Sequence, residues 1–126
     1  MNNYFSESDF KCKCGCGQGE WNPRLKNILN EFREFLNTPV IVTSGYRCPT
    51  HNSKVGGAKN SYHVKSMAVD IVVRGYTGPQ LYQQLMRFGR DKFGGVGIAR
   101  TFLHLDLGPT RRFFYDGVHI ADVDSI

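Results

Sequence analysis

The segment Phe102-Leu-His-Leu-Asp-Leu107 alternates strictly, and that alternation limits the folds open to this chain. Successive side chains along a strand point to opposite faces. Leu103, Leu105 and Leu107 therefore share one face, and Phe102, His104 and Asp106 the other. The leucine face belongs against a core. A histidine and an aspartate set into such a strand are costly to bury unless they have partners. Asp70 raises the same problem in a second apolar run, Met67-Ala-Val-Asp-Ile-Val-Val73. Two strands with misplaced polar groups, plus His63 at the end of a loop, point to one shared site.

The rest of the chain supplies a frame for those strands. Asn22 followed by Pro23 is a helix start. Leu25, Ile28, Leu29, Phe32, Phe35 and Leu36 then recur at spacings of three and four, which predicts an amphipathic helix of roughly four turns. Pro39 ends it near Asn37 and Thr38. Val40 to Thr43 reads as a buried strand, and Ser44 to Asn60 as a long loop of the kind that carries function. A turn through Gly75 and Gly78-Pro79 opens a second helix, with Leu81, Leu85, Met86 and Phe88 on its apolar face. Val96-Gly-Ile98 and Arg112-Phe-Phe-Tyr115 are further strands, and residues 1–10 a loose arm or short turn packing through Tyr4, Phe5 and Phe10. The order predicts an α+β domain with a mainly antiparallel sheet and helices packed on one side.

Bulk properties narrow the function classes. At 126 residues the expected organisation is one domain, 1–126, and a monomer. No stretch is long and apolar enough to span a membrane. The N-terminus, Met1-Asn-Asn-Tyr-Phe-Ser-Glu-Ser-Asp, lacks the pattern of a signal peptide, so the expectation is synthesis in the cytoplasm and action after release or export. The formal charge of +5 favours a polyanionic partner such as an anionic cell wall. The basic residues are scattered, with Arg111-Arg112 as the tight pair, and no basic tract is interleaved with aromatics. Specific nucleic-acid binding is therefore not expected.

A catalytic zinc takes three protein ligands from His and Asp or Glu and keeps a fourth position open for water. His63, Asp70 and His104 make that set, and Asp106 is left over to handle a proton as general base. The surrounding residues bring in a family. Ser61-x-His63, with Ala68-x-Asp70 after it, resembles the S-x-H-x-x-G-x-A-x-D pattern of zinc D-Ala-D-Ala carboxypeptidases and related peptidoglycan peptidases. That group includes phage endolysins and shares its fold with the hedgehog signalling domain. Ser44-Gly-Tyr-Arg47 looks like the family's S-G-Y-R segment, Gly56-Gly-Ala-Lys-Asn-Ser61 its run into the histidine, and His104-x-Asp106 an H-x-D form of its last motif.

The resemblance implies a zinc peptidase acting on peptidoglycan stem peptides or cross-links, as a carboxypeptidase or an endolysin-type endopeptidase. It implies that Arg47 stabilises an oxyanion or holds a substrate carboxylate, and that Ser61 meets the substrate backbone or caps its own loop. Two departures stand out. The family glycine between His63 and Asp70 is Ser66. The positions where relatives carry a catalytic Glu or His, three and two residues before the last ligand, are Thr101 and Phe102. That absence keeps open an alternative, a zinc-containing wall-binding or virion structural domain without hydrolysis.

Four cysteines, Cys12, Cys14, Cys16 and Cys48, leave three readings open: a structural zinc, a disulfide involving Cys48, or free thiols. The first two would pin the N-terminal loop beside Arg47. His51 and His119 read as surface or structural residues.

Overall fold

The computed structural model describes residues 2–115 and Val118. Elements follow in the order α1 (Glu7–Phe10), α2 (Pro23–Leu36), β1 (Ile41–Ser44), α3 (Pro49–Lys54), β2 (Ala68–Val72), α4 (Gly78–Phe88), β3 (Gly95–Ile98), β4 (Leu103–Asp106) and β5 (Arg111–Phe114). The strands form one mixed sheet in the order β1-β2-β4-β3-β5. Neighbours are antiparallel except β3 and β5, which run parallel. The fold is α+β, mostly antiparallel, with its helices packed to one side, as the alternation of elements predicts.

Local chemistry sets the helix ends. The Asn22 side chain accepts from the backbone N–H groups of Arg24 and Leu25, and Pro23 occupies the first turn of α2. Such a cap contributes about 1 kcal/mol. The helix stops at Asn37, which turns left-handed at φ 52° and returns its N–H to Arg33 and Glu34. Thr77 and Gln80 form a reciprocal capping box at the start of α4. The predicted long loop 44–60 instead contains α3. Pro49 presets its first turn, and the Cys48 sulfur accepts from His51 N–H in place of the usual hydroxyl or carboxylate.

Leu25, Leu29 and Phe32 of α2 meet Leu81 and Leu85 of α4 over Val69, Ile71, Val96, Ile98, Leu103 and Leu105 of the sheet. Phe35, predicted on the same stripe, is 46% exposed and lies at the rim against Phe32 and Phe88. Of the two readings of the N-terminal arm, the short turn holds: it is the single-turn helix α1, with Phe5 and Phe10 buried and Tyr4 exposed. Phe10 stacks on Trp21 at 4.7 Å, and the Trp21 indole N–H donates to the Ser6 carbonyl.

The helices leave the other sheet face free, and two cross-strand rows define it. Asp70 pairs with Ser44 and His104, and His104 in turn with Gly97, which pairs with Phe113. The next row runs Ala68, Asp106, Gly95, Arg111. Both glycines are spatial requirements. A Cβ at Gly97 would overlap the Phe113 ring, and one at Gly95 would overlap the Asp106 carboxylate.

Between His63 and β2 the chain makes a tight turn in which Met67 N–H returns to the Tyr62 carbonyl. Ser66 sits there at φ 59°, the left-handed region that disfavours a side chain. This is the position of the glycine in the pattern that the segment resembles. Ser66→Gly is expected to raise stability by about 0.5–1 kcal/mol, a few degrees in Tm, read by thermal or urea unfolding.

Candidate metal centre

Three side chains from two strands and one turn converge on the free sheet face. His63 Nε2 lies 3.1 Å from Asp70 Oδ1, and His104 Nδ1 lies 3.0 Å from the same oxygen. The three ligand atoms lie within 4.8 Å of one another. A tetrahedral zinc with bonds of about 2.0–2.1 Å sets its ligands about 3.3 Å apart, so the spacing suits one small ion.

The hydrogen bonds behind the rings make the stronger argument. His63 Nδ1 faces the Gly45 carbonyl at 2.8 Å, and His104 Nε2 faces Asp106 Oδ2 at 2.7 Å. A carbonyl and a carboxylate only accept, so each outer nitrogen must carry the hydrogen. In the neutral rings the inner nitrogens then present lone pairs, and both aim at a carboxylate oxygen. Three acceptors facing one another require either extra protons or a cation. Metal-binding histidines are held in this manner, with the outer N–H tied to a carbonyl or carboxylate.

The protonation balance agrees. Burial raises the Asp70 pKa, but hydrogen bonds from His104 and His63 outweigh it and hold the group at about 2. Burial lowers the His104 pKa, and its bonds to Asp106 and Asp70 more than reverse that, so the ring is raised above its ordinary value. Both shifts reflect the same drive to place positive charge among these acceptors.

Asp106 occupies a different place from the one its sequence position suggests. It has no solvent exposure and does not line the cleft. Its Oδ1 accepts from Gly95 N–H, Gly108 N–H and Arg111 Nη1, and its Oδ2 from Arg111 Nη2 and His104 Nε2. Burial raises its pKa, but the His104 and Arg111 bonds carry it well below the usual carboxylate range. A carboxylate so committed does not fit the expected role of general base. Its position behind His104 fits orientation of that ring.

Arg47 and Ser61 both line the cleft, whose volume is about 470 Å³. Arg47 donates from Nε to Ser44 and from Nη1 to the buried Asn52, while Nη2 lies 3.6 Å from Asp70 Oδ2. Ser61 Oγ accepts from His63 N–H, so it caps the turn that presents the histidine. Sequence reasoning missed Arg111, Asn52, Gly95 and Gly97. The tight Arg111-Arg112 pair was visible, but only the parallel pairing of β5 with β3 brings Arg111 to Asp106. His51 lies in α3 and does not line the main cleft, but it lines a neighbouring pocket together with Arg47 and Asp70, and His119 lies outside the described residues.

Comparison with known proteins follows the same residues. The sequence pattern of the Peptidase M15 family matches residues 3–106, which include all three candidate ligands and Asp106. The chain belongs to the peptidase M15 family. It is similar to peptidoglycan L,D-endopeptidase MepK of Escherichia coli (strain K12), with 32% identity over 101 residues, 73% of this chain and 54% of that protein. It is also similar to the probable peptidoglycan L,D-endopeptidase MepK of Haemophilus influenzae, with 35% identity over 82 residues, 60% of this chain and 42% of that protein. The chain thus spans about half the length of these relatives or less.

Two outcomes test the centre. Asp106→Ala is expected to weaken zinc binding about 10–100-fold, measured by competition with a chromophoric chelator. Because zinc must displace the His104 proton, affinity is also expected to fall about tenfold per pH unit below the raised His104 pKa and to level off above it. The metal-free fold should show the opposite dependence. Its His104 contribution is present at low pH and is lost as pH rises through the folded pKa.

Proposed function

We propose that this chain is a zinc peptidase that hydrolyses peptide bonds in peptidoglycan stem peptides or cross-links. The observation that carries this reading is the commitment of both outer imidazole nitrogens, to Gly45 and Asp106, which turns two lone pairs toward Asp70. His63, Asp70 and His104 would hold the ion. When bound, zinc lowers the pKa of a coordinated water and polarises a substrate carbonyl.

The chain's own residues then have distinct tasks. Asp106 holds the His104 ring and so positions a ligand rather than moving a proton. Arg47 has two of its nitrogens fixed by Ser44 and Asn52, which leaves Nη2 in the cleft lining, 3.6 Å from Asp70 Oδ2. That nitrogen suits a developing oxyanion or a substrate carboxylate. Ser61 uses a lone pair on His63 N–H and keeps its hydroxyl hydrogen to donate to a substrate backbone carbonyl. Tyr115 lines the same cleft. Burial first, and then the nearby Asp70 charge, raise its pKa to about 12, so it stays a neutral phenol and a hydrogen-bond donor. Arg111 lines the cleft wall with its charge balanced by Asp106.

The names of the relatives support an L,D-endopeptidase activity on peptidoglycan. The positive charge of the chain supports adsorption to an anionic wall. One observation favours a second reading, wall binding without hydrolysis. Among the described residues, Asp70 is the one carboxylate that lines the cleft, so no dedicated general base accompanies the ligands.

Purified sacculi separate the two readings. Released muropeptides identified by mass spectrometry are expected from the wild-type chain with zinc. Products should disappear with a chelator or in His63→Ala, and fall about 10²–10³-fold in Arg47→Ala. Co-sedimentation with sacculi and no released peptides would replace hydrolysis by binding.

A further inference from the structure

The second cluster of metal-binding side chains lies outside the cleft and has no part in the proposed hydrolysis. Cys12, Cys14, Cys16 and Cys48 place four sulfurs within 4.8 Å of one another. Cys12 and Cys14 are 3.4 Å apart, and Cys14 and Cys48 are 3.7 Å apart. None of the four is in a disulfide. A tetrahedral zinc with Zn–S bonds of about 2.3 Å has sulfur–sulfur edges of about 3.8 Å, so the cluster has the dimensions of a single tetrathiolate ion. A polynuclear iron–sulfur cluster would hold its ligand sulfurs farther apart.

The backbone is arranged for thiolates. Cys48 N–H points at the Cys12 sulfur, and His51 N–H points at the Cys48 sulfur, each at 3.4 Å. Backbone donors of this kind offset negative charge on metal-bound sulfur. Three alternating cysteines would not converge on a regular strand or helix. Here they do because Gly15 and Gly17 take φ of 88° and 77°, and Cys12 N–H closes the loop onto the Gln18 carbonyl. Neither glycine has a neighbour that a Cβ would meet, so backbone conformation alone accounts for them.

We infer that Cys12, Cys14, Cys16 and Cys48 form a structural zinc site that clasps the N-terminal loop to the start of α3. The clasp acts next to the metal centre. Cys48 follows Arg47 directly and caps the helix that carries Asn52, the partner of Arg47. On the N-terminal side, Phe10 accepts from Tyr46 N–H, and its backbone lies against Gly45, whose carbonyl holds His63. The zinc would thus fix, from outside the cleft, the segment that orients one ligand and one cleft arginine.

Metal analysis of the full chain tests the assignment independently of hydrolysis. In the double variant His63→Ala/His104→Ala, about one equivalent of zinc should remain after dialysis, protected from weak chelators. Adding Cys14→Ser and Cys16→Ser should remove it. Both cysteines are exposed, so the serines leave the core untouched. Cobalt titration of the double variant should give an intense thiolate-to-cobalt charge-transfer band, and the band should be lost in the serine variant. The proposal fails if the double variant retains no zinc and its four thiols react freely with a disulfide reagent. It also fails if non-reducing mass analysis finds a disulfide, or if cobalt gives no charge-transfer band. Wild-type chain that cleaves no peptidoglycan yet shows the band would sink the peptidase reading and leave this one standing.

Discussion

Asp106 keeps a full negative charge at zero solvent exposure, and the geometry of the metal centre depends on how that charge is held. Desolvating a carboxylate costs several kcal/mol, and a lone ion pair rarely recovers that cost. Here both oxygens are saturated by two backbone N–H groups, a bidentate guanidinium and an imidazole N–H. Such a group has no freedom to accept a further proton from solvent, but it is a rigid bearing for His104. Arg111, whose side chain is 36% exposed, links that bearing to the cleft wall. One guanidinium therefore neutralises the buried charge and also faces substrate space.

The sheet makes room for this arrangement at the cost of side chains. Strand β3 reads Gly95-Val-Gly-Ile98, with its apolar residues in the core and its glycines beneath the site. Gly95 yields its space to the Asp106–Arg111 pair and Gly97 to the Phe113 ring, which lies 5.5 Å from His104. Glycine inside a strand weakens it, and a close approach of other groups is the usual compensation. The two glycines are thus as much part of the candidate centre as the three side chains that converge on it.

Periodicity exposed the candidate ligands because burying polar residues in apolar strands violates a simple rule. Asp70 and His104 were legible for that reason, and register then sets them side by side on β2 and β4. The helices were legible through Asn22-Pro23 and the stripe Leu25, Leu29, Phe32. What remained hidden depended on distant pairing. Nothing local marks Arg111 as the partner of Asp106, because that contact needs β5 to run parallel beside β3. Helix α3 was hidden because a cysteine caps it, and cysteine is not a residue that announces a helix start. The surroundings of Asp106 were hidden for a related reason. Alternation places it on the ligand face, but only the five bonds around it show that it stands behind His104.

Both candidate metal clusters bear on the short segment Ser44–Cys48. Its Gly45 carbonyl fixes the tautomer of His63, its Arg47 spans Ser44, Asn52 and Asp70, and its Cys48 joins the cysteine loop. A segment of five residues cannot hold three such directions through its own conformational preference, since each ordered residue costs about 1–2 kcal/mol of backbone entropy. It needs anchors on both sides. The sheet supplies one through the Ser44–Asp70 pairing. The other lies in the N-terminal arm, where Phe10 is clamped between Trp21 and the Gly45 backbone and the cysteine loop closes over Cys48. This explains physically why the N-terminal residues, far from the ligands in sequence, pack against the segment that positions them.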